Sequence, residues 1–295
     1  SCHQAQFAAW SKSTHGRAGG PAAERAIAPF RGMLRFANAR VTPRVRGGAY
    51  EFLIEQQGEA PVTLGVDGDV GGGHIYGGGT QAFSTRRPDG TLRMIPFEWS
   101  RQDRVWFCNT NSRSGRGWAP ITPDMRLEEC GDWPPTRVIG DVARFANCQS
   151  CHASQATTVA DTIAGGFTTQ FTSLAINCES CHGPGKRHVE LARAGSLGDD
   201  IGLASLATLG KSESVKACYQ CHSIKDQLRD GYRSGAPLES YYSLKLPLLG
   251  DSPLFPDGRI RTFAYQEGHS YSDCYLNGGM TCVSCHDPHG QTYRS

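Results

Sequence analysis

Apolar and polar residues alternate with a period of two in the segments AYEFLIEQ at 49–56 and APVTLGVDGDV at 60–70. This period favours strands that bury one face. The segment QAFSTRRPDGTLRMIPFEWS at 81–100 contains two such runs separated by Pro88-Asp89-Gly90, which predicts a hairpin with a type I turn and a bulge at Gly90. We therefore expect a small antiparallel β module over residues 41–107.

The regions on either side of this module carry helical patterns. Residues 1–40 are expected to be helical, and further helices are predicted at 186–194, 199–209 and 213–223. Only 38% of the 295 residues are hydrophobic, and the chain contains 36 Gly and 16 Pro, which is lean for an ordinary core. The expected fold class is mostly α and irregular, with low regular secondary structure and an interior that a cofactor must fill.

The pattern CxxCH occurs four times, as CQSCH, CESCH, CYQCH and CVSCH. Random placement of the same residues predicts roughly 0.02 occurrences, so the pattern is a strong signal for covalent haem attachment. Two thiols three positions apart on one helical turn can each form a thioether with one porphyrin, and the following histidine reaches the iron. The predicted cofactor-binding cysteines are Cys148, Cys151, Cys178, Cys181, Cys218, Cys221, Cys282 and Cys285, followed by the proximal ligands His152, His182, His222 and His286.

The dipeptide Cys2-His3 is interpreted as the end of a fifth motif whose first cysteine precedes the chain, so the chain is expected to be trimmed. Five haem c groups are then expected, four of them from complete motifs. Ten histidines match the ten axial positions of five irons. Beyond the five proximal histidines, the predicted axial ligands are His15, His74, His188, His269 and His289.

Spacing constrains two of these assignments. His15 follows His3 by twelve residues on a predicted helix, and His289 follows His286 by three. Neither pair can easily grip one iron from opposite sides, so His15 and His289 are expected to bind other haems. A surface histidine is the alternative for His15, a hydrogen-bonded buried histidine for His269, and a glycine-rich turn of the β region for His74. The methionines Met33, Met94, Met125 and Met280 are reserve ligands.

Zinc is the main alternative for the CxxC pairs, because two pairs can supply four thiolates, but the histidine after each pair would then be incidental. Structural disulfides within CxxC pairs are a weaker alternative. Three cysteines lie outside the motifs. A disulfide between Cys108 and Cys130 is predicted, which leaves Cys274 unexplained.

The formal charge of the chain is +2. Ten haem propionates would bring the holoprotein to about −3 when oxidised and about −8 when reduced, so nucleic-acid binding is not expected. No apolar run is long enough for a transmembrane segment, and no leader is visible. Because CxxCH attachment takes place outside the cytoplasm, a periplasmic or extracellular location is expected.

Three segments resemble the multihaem cytochromes c of the cytochrome c-554 family: SCHQAQFAAWSKSTHG at the start, NCESCHGPGKRHVELA, and GGMTCVSCHDPHG near the end. The resemblance runs nearly end to end. It implies that Cys2 and His3 end a haem motif, that the haems pack in near-parallel and near-perpendicular pairs, and that three histidines are distal ligands to other haems: His15, His188 and His289.

These features divide the chain into a first haem segment at 1–40, a β-rich and loop insertion at 41–140, and a four-haem region at 141–295. The leading functional hypothesis is electron transfer through bis-histidine haems to redox partner proteins. An enzyme of the nitrite or hydroxylamine type is the alternative, and it requires one open iron. A third hypothesis is a subunit of a cytochrome filament, homo-oligomer or respiratory complex.

Overall fold

The computed structural model of the chain describes residues 2–72, 79–110, 118–136, 138–139, 151–163, 165–206, 208–229, 231–245, 266–290 and 292–293. These residues form two compact units. One unit is Thr14–Ala175, and the other joins Ser1–Ser13 to Ile176–Ser295.

Antiparallel strands dominate the secondary structure. Strands account for 30% and helices for 23%, so the predicted mostly α fold with little regular structure is wrong. The strands expected within 41–107 are present, but in the same unit the larger sheet begins at Gly19 and reaches Pro120, and a further hairpin follows at 157–170. The expectation that residues 1–40 are helical is wrong for most of that segment, which has the short helices Gln4–Trp10 and Ala22–Arg25 beside short strands. The prediction of a mostly α fold failed because the Thr14–Ala175 unit has a core of its own aromatic side chains. Its sheets are therefore larger than the small β module that the sequence predicted.

Two antiparallel sheets build most of the Thr14–Ala175 unit. One has the strand order β1-β6-β7-β8-β9-β10 and the other β2-β3-β4-β5. In chain order the strands are β1 Gly19–Gly20, β2 Leu34–Arg35, β3 Ala39–Arg46, β4 Ala49–Gln56, β5 Val62–Gly65, β6 Gly68–Gly71, β7 Thr80–Arg86, β8 Leu92–Ser100, β9 Val105–Asn109 and β10 Trp118–Pro120.

The hairpin predicted around Pro88-Asp89-Gly90 is confirmed. Strands β7 and β8 pair antiparallel, with Arg86 opposite Leu92 at the turn end. Gly90 has φ +82° and donates its N–H to the Arg87 carbonyl at 2.9 Å. A positive φ is easily adopted by glycine because it has no Cβ, which explains why the turn residue could be identified from the sequence.

Side chains from both sheets pack into one apolar core. Alternation along β4 buries Phe52 and Ile54, and these meet Phe83 of β7 and Trp106 of β9. The Phe52 and Phe83 ring centres lie 5.8 Å apart, and those of Phe83 and Trp106 lie 5.9 Å apart. Full burial of such a side chain contributes about 1.5–3 kcal/mol, so this unit has a core made of protein side chains.

The predicted Cys108–Cys130 disulfide is confirmed. The two Cα atoms lie 5.4 Å apart, within the range that the bond requires. Both cysteines are fully buried at the end of the aromatic core. The bridge therefore ties the segment that follows β10 back to β9.

A two-stranded hairpin follows Cys151 and His152 in the same unit. Its strands are β11 Thr157–Asp161 and β12 Gly166–Gln170. The Thr169 hydroxyl accepts a hydrogen bond from the Leu92 N–H at 3.0 Å, which attaches this hairpin to the start of β8.

The second unit consists of short helices, 3₁₀ turns and two-stranded ribbons. The helix predicted at 186–194 is confirmed as Lys186–Arg193, and the one predicted at 213–223 occurs as Lys211–Tyr219. The helix predicted at 199–209 is wrong, because the described residues there form bends and turns. The helices of this unit are Gln4–Trp10, Cys178–His182, Lys186–Arg193, Lys211–Tyr219, Asp273–Leu276 and Cys282–Cys285.

The ribbons of this unit are short. They are β13 Lys225–Gln227 paired with β14 Tyr242–Leu244, and β15 His286–Asp287 paired with β16 Thr292–Tyr293. The helix Gln4–Trp10 belongs to this unit because the Trp10 indole donates to the Ile176 carbonyl at 2.7 Å. Across the described ranges, no helix has both the length and the apolar character needed to cross a membrane.

Candidate haem-binding site

The Cys178–His182 motif forms a single helical turn. The Asn177 side chain caps this turn by accepting the Ser180 N–H at 3.0 Å, as Asn does at helix starts. Cys178 is exposed and Cys181 is half-buried. Burial raises the pKa of the Cys181 thiol, and the neighbouring Cys178 adds to that effect. One helical turn therefore presents both thiols and the histidine of the motif.

The motifs at 218 and 282 use the same local geometry. Cys218 lies in the helix Lys211–Tyr219, and its carbonyl accepts the N–H of Cys221 at 3.0 Å and of His222 at 2.8 Å. The helix Cys282–Cys285 is capped by a reciprocal pair between Thr281 and Ser284. In each of the three motifs of this unit the two cysteines thus lie on or directly after a helical turn, whereas His286 is extended and begins β15.

The first cysteines of these two motifs are neighbours. Cys218 and Cys282 pack against the same apolar cluster of Val215, Tyr219 and Leu238. The hydrogen bond between the two thiols lowers the pKa of Cys282 and raises the pKa of Cys218. The two attachment points therefore lie side by side in this unit.

Four predicted axial ligands are arranged as two facing pairs. The ring centres of His3 and His188 lie 5.9 Å apart, and those of His182 and His289 lie 6.1 Å apart. Two imidazoles bound to opposite sides of one metal ion, each at about 2 Å, place their ring centres roughly 6.2 Å apart. Both pairs have the separation of axial ligands that share one iron.

Hydrogen bonds orient one ring in each pair. The Nδ1 atom of His182 lies 2.8 Å from the Ala204 carbonyl oxygen, and Nδ1 of His188 lies 2.7 Å from that of Ile201. Because a carbonyl can only accept, Nδ1 carries the proton, and Nε2 of a neutral ring keeps its lone pair. Nε2 is then the atom available to a metal, as in most metal-binding histidines.

The carbonyls that orient these rings were missed in the sequence, where 199–209 was expected to be helical. The available signal was Asp200-Ile201-Gly202, since an aspartate two residues before a glycine favours a turn. The Asp200 side chain indeed accepts the Gly202 N–H at 2.8 Å.

His269 is placed differently. Its Nε2 donates to the Met280 carbonyl at 2.9 Å, and its Nδ1 lies 3.2 Å from the Ser272 hydroxyl oxygen. Its ring also lies edge-on to Tyr275, with the centres 5.7 Å apart. Both nitrogens are therefore within hydrogen-bond distance of protein atoms in this arrangement.

All of the predicted haem-binding residues stay predictions. Cys148 and His74 lie outside the described residues. Cys151, His152 and His15 lie in the Thr14–Ala175 unit, and Cys2 lies beside His3 in the other unit. The axial partners of four described histidines are likewise untested: His15, His152, His222 and His286.

A sequence profile of the family described as Cytochrome c554 and c-prime matches residues 135–183. The matched segment contains the motifs that end at His152 and His182. This match supports a c-type cytochrome. It also supports haem c as the cofactor and electron transport as the role. Neither the curated proteins nor the solved structures include a match to this chain.

The arrangement of donors fits haem better than a bare metal ion. In the parts of the chain that the structure describes, no three or more His, Cys, Asp or Glu side chains converge as a metal site. A protein zinc site needs at least three such ligands, whereas a porphyrin supplies four equatorial nitrogens and leaves two positions for histidines. The His3–His188 and His182–His289 pairs have ring separations compatible with the second arrangement.

Proposed function

We propose that the protein is a multihaem c-type cytochrome that transfers electrons through closely packed haems with two histidine ligands each, outside the cytoplasm. The observation that carries this proposal is the pairing of histidines from separate segments. His182 of one CxxCH motif faces His289, which follows another motif, with their ring centres 6.1 Å apart.

This pairing links segments that are far apart in the sequence. His182 and His289 are 107 residues apart in the sequence, and His3 and His188 are 185 apart. Each ring pair would therefore fasten one haem to two segments of the chain. The cysteines of each motif would hold the porphyrin covalently, and the histidines would occupy both axial positions.

Bound haem supplies a reversible one-electron couple between ferric and ferrous iron. The residues around it determine how that couple behaves. Two imidazole ligands favour a lower reduction potential than a histidine and a methionine. A haem held by a histidine on each side would leave no position for a substrate, so this ligation supports electron transfer to and from protein partners.

Export is supported by the disulfide. Cys108 and Cys130 are bonded and buried, and such bonds persist in oxidising compartments. We expect the protein to fractionate with the periplasm or the extracellular medium of its source cells. Labelling of thiols before and after reduction, followed by mass analysis, should show this bond in that fraction. Its absence there would contradict the proposed location.

A second function is favoured by the position of His269. If its Nε2 keeps the hydrogen bond to the Met280 carbonyl in the holoprotein, the haem that needs this ligand has an open position. An open iron can bind a small oxygen or nitrogen ligand, as in multihaem oxidoreductases. The alternative is therefore an enzyme with one open haem among several closed ones.

One set of measurements separates these functions. Pyridine haemochrome absorbance and intact mass should give five haems per chain, and four would mean that the Cys2-His3 segment binds none. Electron transfer alone predicts low-spin spectra that carbon monoxide and cyanide leave unchanged. A Soret shift with either ligand would favour the enzyme, and a protein without covalent haem would refute both.

His269→Ala provides a direct comparison with His188→Ala. If His269 is not a ligand, the first substitution leaves the spin state of every haem unchanged. The second should convert one haem to a form that binds carbon monoxide, because His188 faces His3.

A further inference from the structure

We propose that the loop 200–204 is a shared support that sets the reduction potentials of two haems together. This inference rests on the proposed bis-histidine ligation. The loop accepts a hydrogen bond from one ring of each facing histidine pair: His188 through the Ile201 carbonyl and His182 through the Ala204 carbonyl.

The contact with His182 is reciprocal. The Ala204 N–H donates to the His182 carbonyl at 3.0 Å, while the Ala204 carbonyl accepts from Nδ1 of the same residue at 2.8 Å. Backbone and ring of His182 are thus both fastened to Ala204. A displacement of this residue would change the orientation of the ring.

The position of the loop depends on Asp200 and Gly202. One Asp200 carboxylate oxygen accepts the Gly202 N–H at 2.8 Å, and the other pairs with the Arg187 guanidinium at 2.6 Å. These two contacts, the first being the larger cause, lower the pKa of Asp200. The carboxylate therefore ties the loop to the residue next to His188.

Gly202 cannot be replaced without a shift of the loop. Its φ is +69°, and a Cβ there would lie 2.8 Å from the His188 backbone nitrogen and 3.1 Å from the Arg187 carbonyl carbon. Those atoms are backbone atoms of the helix that carries His188, so they cannot rotate away. The loop is held against this helix by a close contact that only glycine permits.

The hydrogen bond from each ring Nδ1–H to a backbone carbonyl explains the effect on the haems. A hydrogen bond from Nδ1–H raises the basicity of the ligating nitrogen. A more basic ligand stabilises ferric iron relative to ferrous iron, which lowers the potential. Weakening both contacts should therefore raise two potentials in the same direction. One segment of five residues thereby couples the potentials of two haems.

The test compares Gly202→Ala with Gly198→Ala in the holoprotein. Gly198 is exposed, and a Cβ there meets nothing within 4 Å, so it is a matched control. Spectroelectrochemical titration of Gly202→Ala should show that two haem potentials become more positive by about 59 mV each. This shift corresponds to about a tenfold change in each one-electron reduction equilibrium constant. The control should leave all potentials unchanged.

Ferric EPR gives a second measurement, because ring orientation affects the low-spin signals. Two signals should change in Gly202→Ala and none in Gly198→Ala. Asp200→Ala serves if Gly202→Ala assembles poorly, since it removes only exposed side-chain contacts. Asp200→Ala should shift the same two potentials by a smaller amount than Gly202→Ala does. Asp200→Asn should give a smaller shift than Asp200→Ala, because the Asn side-chain oxygen can still accept the Gly202 N–H.

A shift confined to one haem, no shift in either variant, or an equal shift in the control would overturn the shared support. Failure of the proposed function would give a different result. In that case the unaltered protein would lack the low-spin signals of bis-imidazole haem before any substitution is made.

Discussion

Asp69 offers a test of how the β-rich unit tolerates a buried carboxyl group. Its side chain is 0% exposed on β6, and Oδ1 has no hydrogen-bond partner among the described residues. Oδ2 accepts the Gln81 amide at 2.6 Å. Burial raises the pKa of Asp69 from 3.8 to about 7, although the Gly20 backbone and the Arg25 charge reduce this shift.

The raised pKa makes stability fall as pH rises. Below about pH 4 the carboxyl group is neutral in both folded and unfolded chains, and the shift costs nothing. Between pH 4 and pH 7 the unfolded chain releases the proton while the folded chain retains it, so the free energy of unfolding decreases. One pKa unit corresponds to about 1.4 kcal/mol, so the loss is up to about 4 kcal/mol once pH exceeds 7.

Asp69→Asn should remove this loss. The amide has nearly the same shape, keeps an acceptor for Gln81 and carries no charge at any pH. We expect the variant to match the unaltered protein at pH 4 and to be more stable at pH 8, by up to about 4 kcal/mol. Urea denaturation of the holoprotein, followed by far-UV circular dichroism at several pH values, measures this difference.

Asp67→Asn is the matched control, because Asp67 is exposed two residues earlier in the chain. It should produce no gain in stability that grows with pH. If Asp69→Asn shows the same difference from the unaltered protein at pH 4 and pH 8, the argument from burial is refuted.

Three further predictions concern the site and the core. His289→Ala should open the haem bound by His182 to carbon monoxide, seen as a Soret shift, and an unchanged spectrum would contradict the pairing. Removing the disulfide by Cys108→Ala with Cys130→Ala should lower the unfolding free energy by about 3 kcal/mol in urea denaturation, and a loss below about 0.5 kcal/mol would contradict a structural role. Phe83→Ala should lower the unfolding free energy by about 3–5 kcal/mol in the same assay and leave the haem content unchanged. Loss of haem would contradict this expectation and show that the β-rich core supports haem attachment.

The local sequence was sufficient for features that depend on neighbouring residues. Gly90 marked the hairpin because its turn needs a positive φ, and the period of two marked the strand around Phe52. The CxxCH motifs identified candidate attachment points because both thiols must lie on one helical turn. Each of these local structures depends on a stretch of about ten neighbouring residues, so the sequence pattern in that stretch is sufficient to predict it.

The overall fold class was not predictable in this way. Counting apolar residues over the whole chain suggested a core filled by haem and few strands. The structure instead concentrates its large aromatic residues in one unit, where Phe52, Phe83 and Trp106 come from three strands of two sheets. Average composition cannot show such segregation, because burial depends on which strands meet.

The partners of the histidines were also decided by tertiary structure. The sequence supplied the number of candidate ligands and excluded the nearest pairings, but only the folded chain brings His3 to His188 and His182 to His289. The loop that orients two of these rings was expected to be a helix, and a Cβ at Gly202 would lie only 2.8 Å from the backbone nitrogen of His188. Sequence alone therefore supplied the candidate haem-binding residues, whereas long-range packing determined which of the candidate histidines lie together and what orients their rings.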